Sequence, residues 1–69
     1  MRNILIKLRK GSGFTVSEVA EKLKISPSFY YKIESGDRTP SLSKSLSIKK
    51  FFNYYNDDIF DNVEDSNSI

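Results

Sequence analysis

Two short helical patterns follow each other with only two residues between them. The apolar residues of the first pattern, TVSEVAEKL, end at Leu23, and the start signal of the second is Ser26. The two residues between them leave room only for a tight turn. The rest of the chain is also helical in its periodicity, and no segment alternates apolar and polar residues over the length of a strand. The sequence therefore predicts an all-α fold built from short helices.

Local signals mark where the second and third helices begin and end. Thr15, followed three residues later by Glu18, predicts a capping box. Ser26 is the expected N-cap of the third helix, and Pro27 occupies its first helical position, where a missing N–H costs nothing. Gly36 is expected to end this helix in the left-handed conformation.

Similar signals predict a bundle of about five short helices. The first helix is expected over residues 2–10, where Ile4, Leu5 and Leu8 share one stripe. The fourth is expected to begin at Thr39 and Pro40 and to end at a left-handed Asn53. Its apolar positions are Leu42, Leu46, Ile48 and Phe52. A last turn is predicted over residues 56–60.

The charge is divided between the two parts of the chain. Residues 1–50 hold all eleven Lys and Arg and four acidic residues, a net charge of +7, whereas residues 51–69 hold five acidic residues and no basic one. A basic body suggests a polyanion as partner, although a mixed solvated surface would give the same composition. We expect residues 1–60 to form one domain and residues 61–69 to form an acidic, disordered tail.

The composition excludes most catalytic chemistry. Without Cys or His, the chain has no disulfide, no thiol nucleophile, no thiolate metal site and no imidazole ligand. Its acidic groups are better explained as a helix start and a solvated tail than as catalytic pairs. We expect no enzymatic activity, no cofactor and no metal. Because no apolar run approaches the roughly 20 residues of a membrane span, we expect a soluble, cytoplasmic protein without a membrane partner.

The third helix, SPSFYYKIES, contains three consecutive aromatic residues, of which one helix face can bury at most two. At about 100° per residue, Phe29 and Tyr30 share an arc with Ile33, whereas Tyr31 falls on the opposite arc. The other residues of that opposite arc are Pro27, Ser28, Lys32 and Ser35. A ring among hydroxyls and an ammonium group suggests a contact surface, although a single exposed tyrosine is also ordinary.

Spaced residues on either side of the tight turn form a longer pattern. They are Thr15, Ala20, Ile25, Ser26, Tyr30, Ile33, Glu34, Gly36, Arg38, Pro40 and Ser41. This pattern resembles the helix-turn-helix family of phage repressors and Cro proteins, in which I-S opens the third helix and I-E-x-G-x-R-x-P-S runs from the end of that helix into the following loop. The resemblance spans about residues 3–60. It implies a lambda-repressor-like DNA-binding domain.

In this family, the helix corresponding to residues 26–35 enters the major groove of DNA. The resemblance implies a sequence-specific transcriptional regulator, a small repressor of a palindromic double-stranded DNA operator. The base-reading positions hold Pro27, Ser28, Tyr31 and Lys32. Positions near the DNA backbone hold Lys10, Thr15, Ser17, Ser26, Arg38 and Thr39. Arg9 and Glu34 match positions that form a structural ion pair.

Some residues depart from the family pattern. Val16 replaces a phosphate-binding glutamine, and Pro27 replaces a long polar reader. Lys24 occupies a turn position where the family favours glycine, and a left-handed lysine costs roughly 1–2 kcal/mol. These departures support an alternative function, a protein-interaction module such as an antirepressor or accessory factor with weak DNA binding.

The segment FFNYYNDDIF, residues 51–60, carries six large apolar side chains, more than so small a core is expected to bury. We expect Tyr54, Tyr55 and Ile59 to contribute to a homodimer interface, with ordinary core packing as the alternative. A homodimer would bind two half-sites about 34 Å apart. A protein antagonist or co-regulator would be a further partner.

Overall fold

The structure, a computed structural model, describes residues 1–62, and these form four α-helices and one turn of 3₁₀ helix. The elements are α1 (Asn3–Gly11), α2 (Val16–Leu23), α3 (Pro27–Ser35), α4 (Leu42–Phe52) and the 3₁₀ helix (Asp57–Phe60). The predicted all-α fold is confirmed. No helix of the described part is long and apolar enough to span a membrane. From residue 63 onward, the expected tail lies outside the described residues.

Local hydrogen bonds explain why α2 and α3 begin where they do. The Thr15 hydroxyl accepts from the Glu18 N–H at 3.1 Å, and the Glu18 carboxylate accepts from the Thr15 N–H at 2.8 Å. The Ser26 hydroxyl accepts from the Phe29 N–H at 3.0 Å. These contacts satisfy backbone donors that a helix start leaves without an intrahelical partner. The predicted capping box and the predicted serine cap are confirmed.

The turn between α2 and α3 uses a left-handed lysine. Lys24 has φ 61° and ψ 42°, and the N–H of Ile25 donates to the carbonyl of Ala20 at 3.0 Å. Gly36 and Asn53 end α3 and α4 in the same left-handed region, as their sequence positions predict. A side chain at Lys24 makes this conformation costly, so the packing of the two helices must offset that cost.

Helix α4 begins later than predicted. Its N-cap is Ser41, whose hydroxyl accepts from the Lys44 N–H at 3.2 Å. Thr39 and Pro40 lie in the preceding loop, and Pro40 is buried there. The predicted start at Thr39 was therefore wrong, because Ser41 supplies the capping hydroxyl instead.

Two of the four apolar positions identified in α4 face solvent. Ile48 is fully buried and Phe52 half-buried, but Leu42 is 78% and Leu46 55% exposed. The leucines lie about 120° or more around the helix from Ile48, so no single orientation of α4 buries them together with Ile48.

The core is small and draws on every helix of the described part. Its buried residues are Leu5, Val19, Ala20, Leu23, Tyr30, Ile33, Ile48 and Ile59. Phe51 extends the core toward the segment between α1 and α2, since its ring centroid lies 5.4 Å from that of Phe14 and 4.9 Å from that of Phe52. These contacts fix the orientation of α3 relative to its neighbours.

Arg2 ties the beginning of the chain to the end of α3. It is 5% exposed, and its backbone N–H donates to the Glu34 carbonyl at 2.8 Å. Its guanidinium donates from Nη1 to the carbonyls of Ile33, at 2.6 Å, and Arg38, at 2.8 Å. Nε donates to the carbonyl of Phe60 at 3.0 Å. Burial lowers the pKa of Arg2 because it disfavours the charged form.

Replacing Arg2 with alanine is expected to destabilise the domain strongly. Three carbonyls lose a charged donor, and one such hydrogen bond contributes roughly 1.5–3 kcal/mol, so we expect a loss of about 3 kcal/mol or more. Urea denaturation followed by circular dichroism measures it. Lys7→Ala, at an exposed position of α1, is the control and should stay within about 0.5 kcal/mol of the parent protein. Equal stability of the two variants would contradict this role for Arg2.

Candidate nucleic-acid interface

One side of α3 packs against the core, and the other side is exposed to solvent. Tyr30 and Ile33 are fully buried and Phe29 is half-buried, whereas Tyr31 is 58% exposed. The other exposed residues of this outer arc are Pro27, Ser28 and Lys32. The arc therefore combines one aromatic ring, one hydroxyl and one ammonium group. Ser35 is half-buried, and its hydroxyl donates to the Lys32 carbonyl at 3.1 Å, so it turns back toward the helix.

An ion pair anchors the inner side of α3 to α1. Arg9 Nε donates to Glu34 Oε2 at 2.6 Å, and Arg9 Nη2 donates to Glu34 Oε1 at 3.2 Å. The side chains are 12% and 4% exposed. The hydrogen bond to Glu34 raises the pKa of Arg9. Arg9 Nη1 also donates to the Phe14 carbonyl at 3.0 Å, which holds the segment between α1 and α2.

Tyr30 lies beside this pair. Its hydroxyl is buried and has no hydrogen-bond partner within residues 1–62. Burial is the main cause that raises the pKa of Tyr30, and the negative charge of Glu34 adds to it. The ring thus remains neutral at ordinary pH and serves as a packing element. The inner face of α3 is held by this ring, by Ile33 and by the Arg9–Glu34 pair.

All six residues expected near a DNA backbone are exposed. They are Lys10, Thr15, Ser17, Ser26, Arg38 and Thr39. The hydroxyls of Thr15 and Ser26 accept hydrogen bonds as helix caps, but a hydroxyl carries its own hydrogen and can donate it to another acceptor. Both groups can therefore cap a helix and contact a phosphate oxygen at the same time.

The loop that carries Arg38 and Thr39 is fixed through its backbone. The Arg38 N–H donates to the Lys32 carbonyl at 3.1 Å, and the Arg38 carbonyl accepts from Arg2 Nη1 at 2.8 Å. The Arg38 side chain remains exposed.

Sequence reasoning missed Arg2, because an arginine near the start of an amphipathic helix is normally interpreted as a solvated residue. Its three carbonyl partners come from distant parts of the chain, so no local signal identifies them.

The residues expected at a dimer interface have three different environments. Ile59 is fully buried, so its assignment to an interface was wrong: the 3₁₀ turn packs it into the core. Tyr54 is half-buried, and its hydroxyl donates to Asp58 Oδ1 at 2.9 Å. Tyr55 is 62% exposed. Of the three, Tyr55 retains the largest surface for a second copy of the chain.

A short ion pair also holds the segment after α4. Lys49 Nζ lies 2.6 Å from Asp57 Oδ1, and this hydrogen bond lowers the pKa of Asp57. Lys49 therefore has a local partner in the segment that follows α4. The pair is exposed on the Asp57 side, so its contribution to stability is small.

Two tightly joined helices, the second with a buried inner face and an exposed polar outer arc, define a helix-turn-helix domain. The helix-turn-helix family model matches residues 5–58, and the chain belongs to this family. A Bacillus subtilis (strain 168) protein named uncharacterized HTH-type transcriptional regulator YqaF is 41% identical over 56 residues, covering 78% of this chain and 74% of that protein. No solved structure gives a significant match. The family resemblance found in the sequence is confirmed.

Removing one partner of the Arg9–Glu34 pair is expected to lower the free energy of unfolding more than replacing both partners. Arg9→Met leaves the Glu34 carboxylate buried without its partner, and we expect a loss of roughly 3–5 kcal/mol of unfolding free energy. The double variant Arg9→Met/Glu34→Met replaces the pair by apolar groups and should recover much of that loss. Urea denaturation of the parent, both single variants and the double variant tests this. A double variant whose loss equals the sum of the single losses would refute the coupling.

Proposed function

We propose that the protein is a DNA-binding transcriptional regulator, a small repressor that binds a palindromic operator as a homodimer. The observation that carries this proposal is the exposed outer arc of α3, next to a tight turn and opposite a rigidly packed inner face. The helix-turn-helix family places such a helix in the major groove of DNA. The +7 charge of residues 1–50 favours association with a polyanion.

The chemistry of the outer arc fits the edges of base pairs. Lys32 carries an ammonium group that can donate to O6 and N7 of guanine. The Ser28 hydroxyl can donate or accept, and Tyr31 offers a hydroxyl and a ring that can lie against a thymine methyl group. Pro27 has no donor, so this part of the helix contributes apolar contact and not hydrogen bonding. Specificity would then depend mainly on the three polar residues.

Contacts to the DNA backbone would orient the arc. The capping hydroxyls of Thr15 and Ser26 lie at helix N-termini, where backbone N–H groups and the helix dipole favour a phosphate. Arg38 projects from a loop whose backbone is fixed at both its N–H and its carbonyl. Lys10, Ser17 and Thr39 complete the set of exposed candidates. Such contacts strengthen binding to every sequence alike.

The small size of the proposed reading surface supports a homodimer. One arc of this length reads only a few base pairs, and a twofold dimer doubles the site by using two half-sites about 34 Å apart. Tyr55 supports an interface after α4, because it is a large exposed ring. Tyr54 would contribute less, since its hydroxyl is already bonded to Asp58.

A second candidate function is a protein-interaction module on the same scaffold. Two observations favour it. Val16 and Pro27 remove two polar groups that the family commonly uses on DNA, and Leu42 and Leu46 are exposed on α4. The two functions differ in their dependence on salt, because phosphate contacts release counterions and make affinity fall steeply as salt rises.

Selection of duplexes from a random DNA pool at physiological salt tests the proposed function. We expect enrichment of a twofold-symmetric site whose half-sites are about 10 base pairs apart. Analytical ultracentrifugation with the enriched duplex would give the number of bound chains. If the folded protein enriches no sequence, the sequence-specific regulator is excluded and the interaction module becomes the better account.

Replacing Lys32 with alanine is expected to remove one base contact. On the enriched site we expect a loss of about 1–3 kcal/mol of binding free energy and a relaxed preference at one base position. Fluorescence anisotropy with the best duplex and with single-base variants measures both. Lys7→Ala removes the same charge from α1 and should leave the base preference unchanged. A uniform loss on all duplexes after Lys32→Ala would instead identify a phosphate contact.

A further inference from the structure

A basic groove lies between the end of α2 and one side of α4. Its volume is about 420 Å³. Its charged lining residues are Lys22, Lys24, Lys44 and Lys50. Leu23 and Phe51 also line it. Among residues 1–62, the groove is lined by four lysines and by no acidic side chain.

The apolar lining residues of the groove are more buried than most of its lysines. Leu23 is 9% exposed and Phe51 is half-buried, whereas Lys22, Lys24 and Lys50 are exposed. Lysine ammonium groups extend into solvent on long apolar stems, so the lysines form a rim around the two apolar residues. A ligand that fits this groove must combine negative charge with apolar groups.

One exposed leucine of α4 adjoins the lysine rim. Leu46 is 55% exposed and stands four residues before Lys50, so the two side chains are neighbours on the helix. Leu42 is 78% exposed, but at about 100° per residue it lies on the side of α4 opposite Phe51 and so faces away from the groove. Of the two leucines, Leu46 therefore adds apolar area beside the rim.

We propose that the groove and the adjoining Leu46 bind an acidic, amphipathic peptide segment of a partner protein. Charge complementarity selects an acidic ligand, and the apolar lining with Leu46 selects one that also carries apolar side chains. A second copy of α4 is a poor occupant, because α4 has three lysines and no acidic residue. The proposal goes beyond the DNA-binding function and is independent of it.

DNA is a poorer occupant of the same groove. None of the residues lining the groove belongs to the ten base-reading and backbone positions assigned above. Phosphate contacts need charged or polar donors and gain nothing from a recess lined by Leu23 and Phe51. A partner peptide, in contrast, buries apolar side chains in such a recess and forms charge pairs at its rim.

Selection from a random pool of peptides about 12 residues long, with the folded full chain as bait, tests the proposal. We expect enriched peptides that interleave Asp or Glu with large apolar residues. Chemical-shift mapping with an enriched peptide should move the backbone amides of residues 22–24 and 44–51 and leave those of residues 28–32 unchanged. No enrichment, or enrichment of peptides without acidic residues, would overturn the proposal.

A matched pair of charge reversals locates the binding surface. Lys50→Glu changes the rim and should weaken the enriched peptide by about fivefold, because attraction becomes repulsion at one exposed position. Lys7→Glu makes the same change on α1 and should leave the affinity unchanged. Circular dichroism confirms that both variants fold. Equal affinities of the two variants would overturn the assignment to this groove.

Two further measurements separate apolar recognition from simple charge attraction and from DNA contact. An analogue of the enriched peptide with its apolar residues changed to serine keeps its charge and should lose most of its binding. If it binds as well as the original, the groove acts only as a charge patch and the proposal fails. If Lys50→Glu weakens every duplex DNA while the peptide is unaffected, the groove is a DNA-backbone contact and the proposal fails as well.

Discussion

The buried guanidinium of Arg2 is the contact on which the rest of the domain depends. It donates to carbonyls from α3, from the loop after α3 and from the 3₁₀ helix, three parts of the chain that have no other common partner among the hydrogen bonds described. The C-terminal end of a helix carries partial negative charge, so a cation is stabilised there without a carboxylate. One side chain thereby fixes the end of the candidate recognition helix and the loop that follows it.

Arg2 fixes the C-terminal end of α3, and the Arg9–Glu34 pair fixes the inner side of the same helix. Glu34 and Ile33 offer their carbonyls to Arg2, and the Glu34 side chain binds Arg9. The helix is thus held by its backbone and by its inner side chains, so its outer arc can be polar without loosening the fold. A surface fixed in this way loses little conformational entropy when it binds, which favours affinity from few contacts.

Features that depend on residues close together in the chain were predicted correctly from the sequence, with one exception. The caps at Thr15 and Ser26 and the left-handed residues depend on neighbours within a few positions, and the family resemblance assigned the Arg9–Glu34 pair. One error is local, since Ser41 and not Thr39 caps α4. The other errors concern the direction in which an element faces. Leu42 and Leu46 are apolar but turn outward, Ile59 turns inward, and the partners of Arg2 are 31 to 58 residues away. These outcomes depend on how the helices pack together, which no short pattern contains. The base-reading and backbone roles remain predictions for experiment.

The two surfaces of this domain can act together because they share no residue. A peptide in the groove would leave the outer arc of α3 uncovered, so its effect on DNA binding would arise through charge. Four lysines paired with acidic residues would no longer contribute to the positive field that attracts DNA, and the association rate would fall. At physiological salt, screening over about 8 Å limits that effect to nearby phosphates. An acidic partner would therefore weaken binding to all sequences while leaving the proposed base-reading residues Ser28, Tyr31 and Lys32 uncovered.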